Sequence, residues 1–288
     1  MEKEETVTVD HALQLALPGL VVTPTWLVQQ LDQPDLHLLD IRAADSYAEG
    51  HIPGAVHVDL ATLSRVVDGV PGMLLPPAEF AAQMSALGVD EHKAVVLYDD
   101  NWGMQAARVL WALARYGHTN AAVLTGGWDR WREEQLPQSV ETHTPTPTEF
   151  VIRRADAHLA ERSWLLEHDA DPTVVVIDTR TPNEYAQGHL PGARNWDWMN
   201  AVPLTGWDLM KPVNELQATL RDLGVTPDKE IVTYCRSGVR AAHTYLVLRA
   251  LGYPRVRNYD GSWLEWSHYL AQEENTTEGS HTLKGASH

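Results

Sequence analysis

The residue best suited to chemistry is the single cysteine, Cys235. It is followed by Arg236, Ser237, Gly238, Val239 and Arg240, a polar turn carrying two fixed cations. Before it runs Ile231-Val232-Thr233-Tyr234, an apolar segment of the length that suits a buried parallel strand. After it, Ala242, Tyr245, Leu246, Leu248 and Leu251 recur at roughly helical spacing, and Gly252 marks the helix end. The pattern puts a thiol at the carboxyl end of a strand and in front of a helix amino terminus. Open α/β sheets bind ligands at that edge. Curling backbone N–H groups form an anion-binding nest there, and the helix start adds partial positive charge. With Arg236 and Arg240, these features favour the thiolate, the nucleophilic form of cysteine. Gly238 lets the backbone fold close to the sulfur. A lone cysteine is more often an inert buried hydrophobe, but the polar Arg-Ser-Gly that follows argues for a nucleophile.

The elements that must position this turn fit a chain of 288 residues, enough for two modules of ordinary size. A repeat supports that count. Residues 40–55, DIRAADSYAEGHIPGA, recur as residues 178–193, DTRTPNEYAQGHLPGA, at an offset of 138. Leu87-Gly88 answers Leu223-Gly224 and Tyr98 answers Tyr234 at 136, while Trp128 and Trp131 answer Trp263 and Trp266 at 135. Two small deletions account for the drift, one in the variable middle segment and one in the loop after the tyrosine. The period is domain-sized, so two copies of one unit lie side by side.

Residues 20–136 form the first module, 137–149 a Pro- and Thr-rich linker, and 150–272 the second module. Residues 273–288 read as a mobile polar tail. In the first module strands are expected at 36–40 and 94–98, a loop at 66–77 and a helix at 78–87. In the second, Phe150-Val151-Ile152 reads as the first strand, 157–167 as a helix, 173–178 as a buried strand and 215–223 as a helix. Residues 196–212 form a variable loop with Trp196, Trp198 and Trp207, suited to core or inter-module packing at least as well as to a cleft mouth.

A formal charge of -17 argues against nucleic acid or anionic membrane as a partner. One cysteine excludes an internal disulfide, and no second thiol of this chain can resolve an adduct on Cys235. The 14 histidines are scattered without metal-ligand spacing, so neither metal nor cofactor is expected. The acidic start shows no signal-peptide pattern, and no apolar run is long enough to span a membrane. A cytoplasmic monomer is the expectation.

The run Cys-Arg-Ser-Gly-Val-Arg between strand and helix resembles the active loop of the rhodanese family of sulfurtransferases. The two D-x-R…E/S-Y…G-H-x-P-G-A segments and the closing Tyr259-Asp260-Gly261-Ser262-Trp263-Leu264-Glu265-Trp266 resemble further family signatures. The resemblance implies an α/β fold of two rhodanese-like modules, each a mostly parallel sheet flanked by helices on both faces. It implies that Cys235 carries a persulfide between a small anionic sulfur donor and a thiophilic acceptor such as cyanide, a thiol or a dithiol. Arg236, Ser237, Gly238, Val239 and Arg240 are then candidates for binding donor and persulfide, with Arg180 as a weaker candidate that either orients the loop or pairs with Glu184. Asp99 stands where Cys235 stands in the other copy. A carboxylate cannot carry a sulfane sulfur, so the first module resembles the inactive domain of tandem rhodaneses. His51 and His189 read as scaffold groups that hydrogen-bond their own turns.

Loop length separates relatives. Dual-specificity phosphatases and arsenate reductases of similar fold use C-x5-R, whereas here the arginine falls one residue earlier, at 240. The tighter cradle suits sulfur better than a phosphoryl group. Mercaptopyruvate sulfurtransferases typically show C-G-[SA]-G-V-[TS] with Arg-Phe upstream. Here Arg236 follows the cysteine and Glu184-Tyr185 stands upstream, which favours thiosulfate as donor. Ser237 and Arg240 depart from the C-R-K-G-V-T of thiosulfate enzymes. The expected activity is therefore thiosulfate:cyanide-type sulfur transfer. The alternatives are a 3-mercaptopyruvate sulfurtransferase and a persulfide-carrying module that delivers sulfur to a partner protein.

Overall fold

The apolar runs 36–40, 94–98, 173–178 and 231–234 each supply a strand to one of two five-stranded sheets of identical topology. The computed structural model describes residues 15–272. The first module contains β1 (Val21–Val22), β2 (Leu36–Asp40), β3 (Val56–His57), β4 (Ser64–Val67), β5 (Val70–Leu74), β6 (Ala94–Tyr98) and β7 (Ala121–Leu124). Its helices are α1 (Pro24–Val28), α2 (Ala44–Glu49), α3 (Pro77–Ala86), α4 (Met104–Arg115) and α5 (Gly127–Glu133). The second module contains β8 (Leu159–Ala160), β9 (Val174–Asp178), β10 (Arg194–Asn195), β11 (Glu230–Tyr234) and β12 (Val256–Tyr259). Its helices are α6 (Arg162–Glu167), α7 (Pro182–Ala186), α8 (Val213–Asp222) and α9 (Val239–Ala250), followed by a helical segment over 262–272.

The strand orders are β1-β7-β6-β2-β3 and β8-β12-β11-β9-β10, all parallel. The central strands β6 and β11 are buried along almost their whole length. This is what a strand covered by helices on both faces requires. Helices α4 and α9 follow these two strands and pack against each other across the module boundary. Their buried faces belong to one apolar core that draws residues from both modules, including Trp111, Leu113, Tyr245 and Leu246. A separate cluster backs each sheet on its other side.

Three expectations need correction. Residues 66–77 are not an irregular loop: β4 and β5 form an antiparallel hairpin through this segment. Phe150–Ile152 joins no strand. Phe150 instead buries its ring against Phe80 of the first module, 5.7 Å between centroids, and its N–H donates to Ser85 Oγ. The apolar triplet that reads as a strand is chain still packed on the first core, and the second sheet starts at β8. Residues 157–167 are not one helix, because a short 3-10 turn and β8 precede α6. Of the three tryptophans in 196–212, Trp196 and Trp198 are buried, whereas Trp207 is half exposed and donates Nε1–H to Glu133 of the first module. Residues 273–288, expected to be mobile, lie outside the described residues.

Candidate active site

β11 delivers Cys235 to the carboxyl edge of the second sheet, and α9 begins four residues later with Gly238 as its N-cap. Gly238 adopts a left-handed conformation (φ +78°), and a Cβ there would lie 3.0 Å from the backbone oxygen of Asp260. Only glycine meets both demands. The thiol is buried, 1% exposed. Cys235 N–H donates to Ser262 Oγ at 3.2 Å, and Asn258 Nδ2 donates to the Gly238 carbonyl at 3.1 Å. The N–H groups of Trp263 and Leu264 donate to the carbonyls of Cys235 and Arg236. The Y-D-G-S-W segment therefore holds the loop from beneath through its backbone. Meanwhile the N–H groups of residues 237–241 have no protein acceptor among the described residues.

The first module shows what such a nest accepts. Asp99 sits at the matching end of β6, and its carboxylate receives N–H groups from Asn101, Gly103, Gln105 and Ala106 at 2.8–2.9 Å. Burial still pushes its carboxyl pKa up, against the lowering effect of those four donors. The loop is one residue longer than its counterpart, and Trp102 takes a left-handed φ of 50° to fit. One module thus fills its anion nest with its own side chain. The other presents a thiol at that place.

The two loop cations differ in status. Arg236 is exposed and pairs with no acidic side chain among the described residues. Arg240 is half buried, and its Nη1 and Nη2 each donate to Glu184 at 2.8 Å. Its pKa is raised, first by the bond to Glu184 and further by the neighbouring Cys235. Arg240 holds the Glu184 carboxyl down at about 2. Glu184 also closes a capping box with Thr181 at the start of α7, so one carboxylate both starts a helix and fixes a loop arginine. Of the remaining loop residues, Ser237 and Val239 line a cleft between the modules of about 270 Å3, opposite Leu63, Gly72, Leu74 and Val109. A cavity of about 410 Å3 beside Trp164, Leu190 and Trp266 shares no residue with the active loop.

Arg180 is not brought into this group. It is 3% exposed, clamps Asp178 through Nε and Nη2, donates to the Gly188 carbonyl at 2.7 Å and lies over the Trp263 ring. The expected pairing with Glu184 does not occur, because Glu184 belongs to Arg240. Arg42 makes the same contacts with Asp40, Gly50 and Trp128 in the module without a thiol. The repeated D-x-R motif is therefore a scaffold, not a substrate clamp. His51 and His189 match their scaffold reading, each ring bonding a carbonyl four residues back.

Sequence reasoning missed Glu184 as the partner of Arg240 and the hairpin β4–β5 as a wall of the cleft. The first carries a local signal, the Thr-x-x-Glu capping box, which points to a helix start but not to Arg240. The second carries none, because a hairpin and a loop share the same turn residues.

A family model for the rhodanese-like domain matches residues 23–134 and 161–269. A thiosulfate sulfurtransferase of Pseudomonas aeruginosa is 36% identical over 259 residues, covering 87% of this chain and 94% of that protein. A sulfur carrier protein of Thermus thermophilus is 34% identical over 277 residues, covering 88% and 96%. The crystal structure of a 3-mercaptopyruvate sulfotransferase from Escherichia coli matches with a TM-score of 0.78 at 31% identity, covering 85% of this chain and 99% of that one.

Proposed function

The chain belongs to the family of rhodanese-like domain proteins, and from that premise we propose that it transfers a sulfane sulfur from thiosulfate to a thiophilic acceptor through a persulfide on Cys235. The observation that carries this reading is the nest around Cys235, whose twin in the first module holds a carboxylate by four N–H groups. A loop built to hold an anion, with a buried thiol at its centre, stabilises both a thiolate and a persulfide anion.

In the first half-reaction the Cys235 thiolate attacks the outer sulfur of thiosulfate. The sulfur–sulfur bond of the donor breaks, and sulfite leaves with the bonding pair. The terminal sulfur of the persulfide then lies against the N–H groups of residues 237–241. In the second half-reaction cyanide, a thiol or a dithiol attacks that sulfur and the thiolate leaves. With cyanide the product is thiocyanate and the enzyme returns to its starting state. Arg236 is the exposed cation at the mouth and supplies charge to the entering donor and departing sulfite. Arg240, paired with Glu184, orients the far side of the loop. Thiosulfate fits this arrangement better than a keto acid, because Glu184 occupies the place of the upstream arginine expected of a mercaptopyruvate enzyme. The reading includes a cytoplasmic monomer.

Intact mass after incubation with thiosulfate, and separately with 3-mercaptopyruvate, tests the cycle. The expected result is a gain of one sulfur atom, faster with thiosulfate and removed by cyanide. Cys235→Ser should neither load nor form thiocyanate. Thiocyanate formation by that variant would refute the mechanism.

A further inference from the structure

We propose that Arg108, in the first module, is a positioning residue for the sulfur-transfer site of the second. The inference rests on the reading of Cys235 as sulfur carrier. Arg108 lies on α4 and is 4% exposed, with its guanidinium over the Trp111 ring. It crosses the module boundary. Its Nη2 donates to Asp260 Oδ1 at 2.5 Å and to the Gly72 carbonyl at 3.2 Å. The other carboxylate oxygen of Asp260 accepts the Leu74 N–H at 2.8 Å. One ion pair therefore ties together α4, the hairpin β4–β5 and the turn after β12.

That turn is the one that holds the active loop. Asp260 stands between Asn258 and Ser262, which bond Gly238 and Cys235. A Cβ on Gly238 would lie 2.9 Å from Arg108 Nη1, and a Cβ on Gly72 would lie 3.5 Å from that of Ser237. The guanidinium thus abuts the loop itself, and the hairpin it grips covers the loop's outer side. Nη1 is buried and has no hydrogen-bond partner among the described residues. A buried, incompletely satisfied guanidinium is costly, and such cost is tolerated where position matters more than stability.

The pseudo-symmetry of the chain isolates the buried ion pair. Arg108 answers His243 and Asp260 answers Thr125, 135 residues apart, and Leu209 takes at the first module's turn the place that Leu74 takes at the second's. Around the first module's loop Thr125 Oγ1 accepts the Leu209 N–H at 2.9 Å, just as Asp260 accepts Leu74. Both loops are clipped by the other module's segment. Each clip carries an ion pair, but that of the first module, Arg130 with Asp208, has side chains 34% and 59% exposed, whereas Arg108–Asp260 beside the thiol is buried. The first module thereby helps to close the second module's site and shields the persulfide between half-reactions.

The test uses the full chain with Arg108→Met, which keeps the stem over Trp111, and Arg108→Lys, which keeps the charge. Each protein is loaded with thiosulfate and freed of donor. Loss of sulfur without acceptor is then followed by intact mass. Hydrogen exchange over residues 64–74 is followed in parallel on unloaded protein. Losing a charge-assisted hydrogen bond predicts persulfide decay about 10-fold faster and earlier exchange at Leu74 for Arg108→Met, with partial rescue by Arg108→Lys. A purely structural role would lower the melting temperature of both variants and leave the persulfide lifetime unchanged. That result overturns the proposal. Should Arg108→Met fail to fold, Arg108→Gln, which keeps a donor without the charge, decides, since a wild-type lifetime and wild-type exchange there also overturn it. A wild-type protein that takes up no sulfur refutes the reading of Cys235 instead.

Discussion

Replacing Glu184 with Gln separates the two loop arginines. In the wild-type protein the mouth carries Arg236, Arg240 and the Glu184 carboxylate, which bonds both terminal nitrogens of Arg240 at 2.8 Å. The pair is partly solvated, with side chains 21% and 33% exposed, so its contribution to stability is at most about 1 kcal/mol. Glutamine retains an oxygen for the Thr181 N–H, so the start of α7 survives. What changes is charge. Removing one negative charge roughly 8 Å from a bound dianion in a water-like medium is worth about 1 kcal/mol. The KM for thiosulfate should fall by about 5-fold at low ionic strength, and the gain should fade as added salt brings the screening length down to about 8 Å or less. The assay is steady-state thiocyanate formation at a series of salt concentrations. Acidification does not imitate the substitution. The carboxyl is held at about 2 against an ordinary value of 4.5. A depressed carboxyl gives its full stabilisation above the ordinary value and loses it only as pH falls through the depressed one. Across the working range of the assay Glu184 stays ionised. An unchanged or higher KM for Glu184→Gln at low salt, with loading intact, would show that the Glu184 charge does not act on the bound donor.

Two further substitutions test the frame around the site. Asp99→Ala should cost about 3 kcal/mol of stability, read as a lower urea midpoint, because four N–H groups lose their acceptor. The same variant should gain no sulfur-transfer activity in the first module. His243 is fully buried against the Leu209 carbonyl, and burial pushes its pKa down to about 4 from 6.5. The unfolded chain therefore binds a proton in that interval that the folded one refuses, so stability rises with pH across it. Between about pH 7 and about pH 5 the wild type should lose about 2 kcal/mol more than His243→Gln, measured by denaturant unfolding at both pH values. Equal losses would show that His243 stays solvated.

The parts of the site legible in the sequence were those governed by near neighbours. The strand 231–234, the turn and the helix after it are fixed by apolar spacing and by Gly238, and they appear as β11, the loop and α9. The repeat exposed the paired modules and set Asp99 against Cys235. The scaffold role of His51 and His189 followed from turn geometry within a few residues. Phe150 marks the limit of that reasoning. Its apolar triplet has the composition of a strand, but which sheet or core it meets depends on where the linker runs.

Strand and helix periodicity and the turn glycines act over a few residues, so the fold class, the two-module plan and the place of the thiol were legible in the chain alone. Tertiary packing decided which acid stands beside each arginine. Arg180 was already the weaker candidate in the sequence, yet every arginine is the same donor until an acid is placed beside it. Folding sets Asp178 against Arg180 and Glu184 against Arg240, leaving Arg236 at the mouth. It also brings Arg108 to Asp260, 152 residues away along the chain. Ion pairs at such separation leave no periodic trace, because they are chosen by the packing of α4 on α9 and not by local propensity.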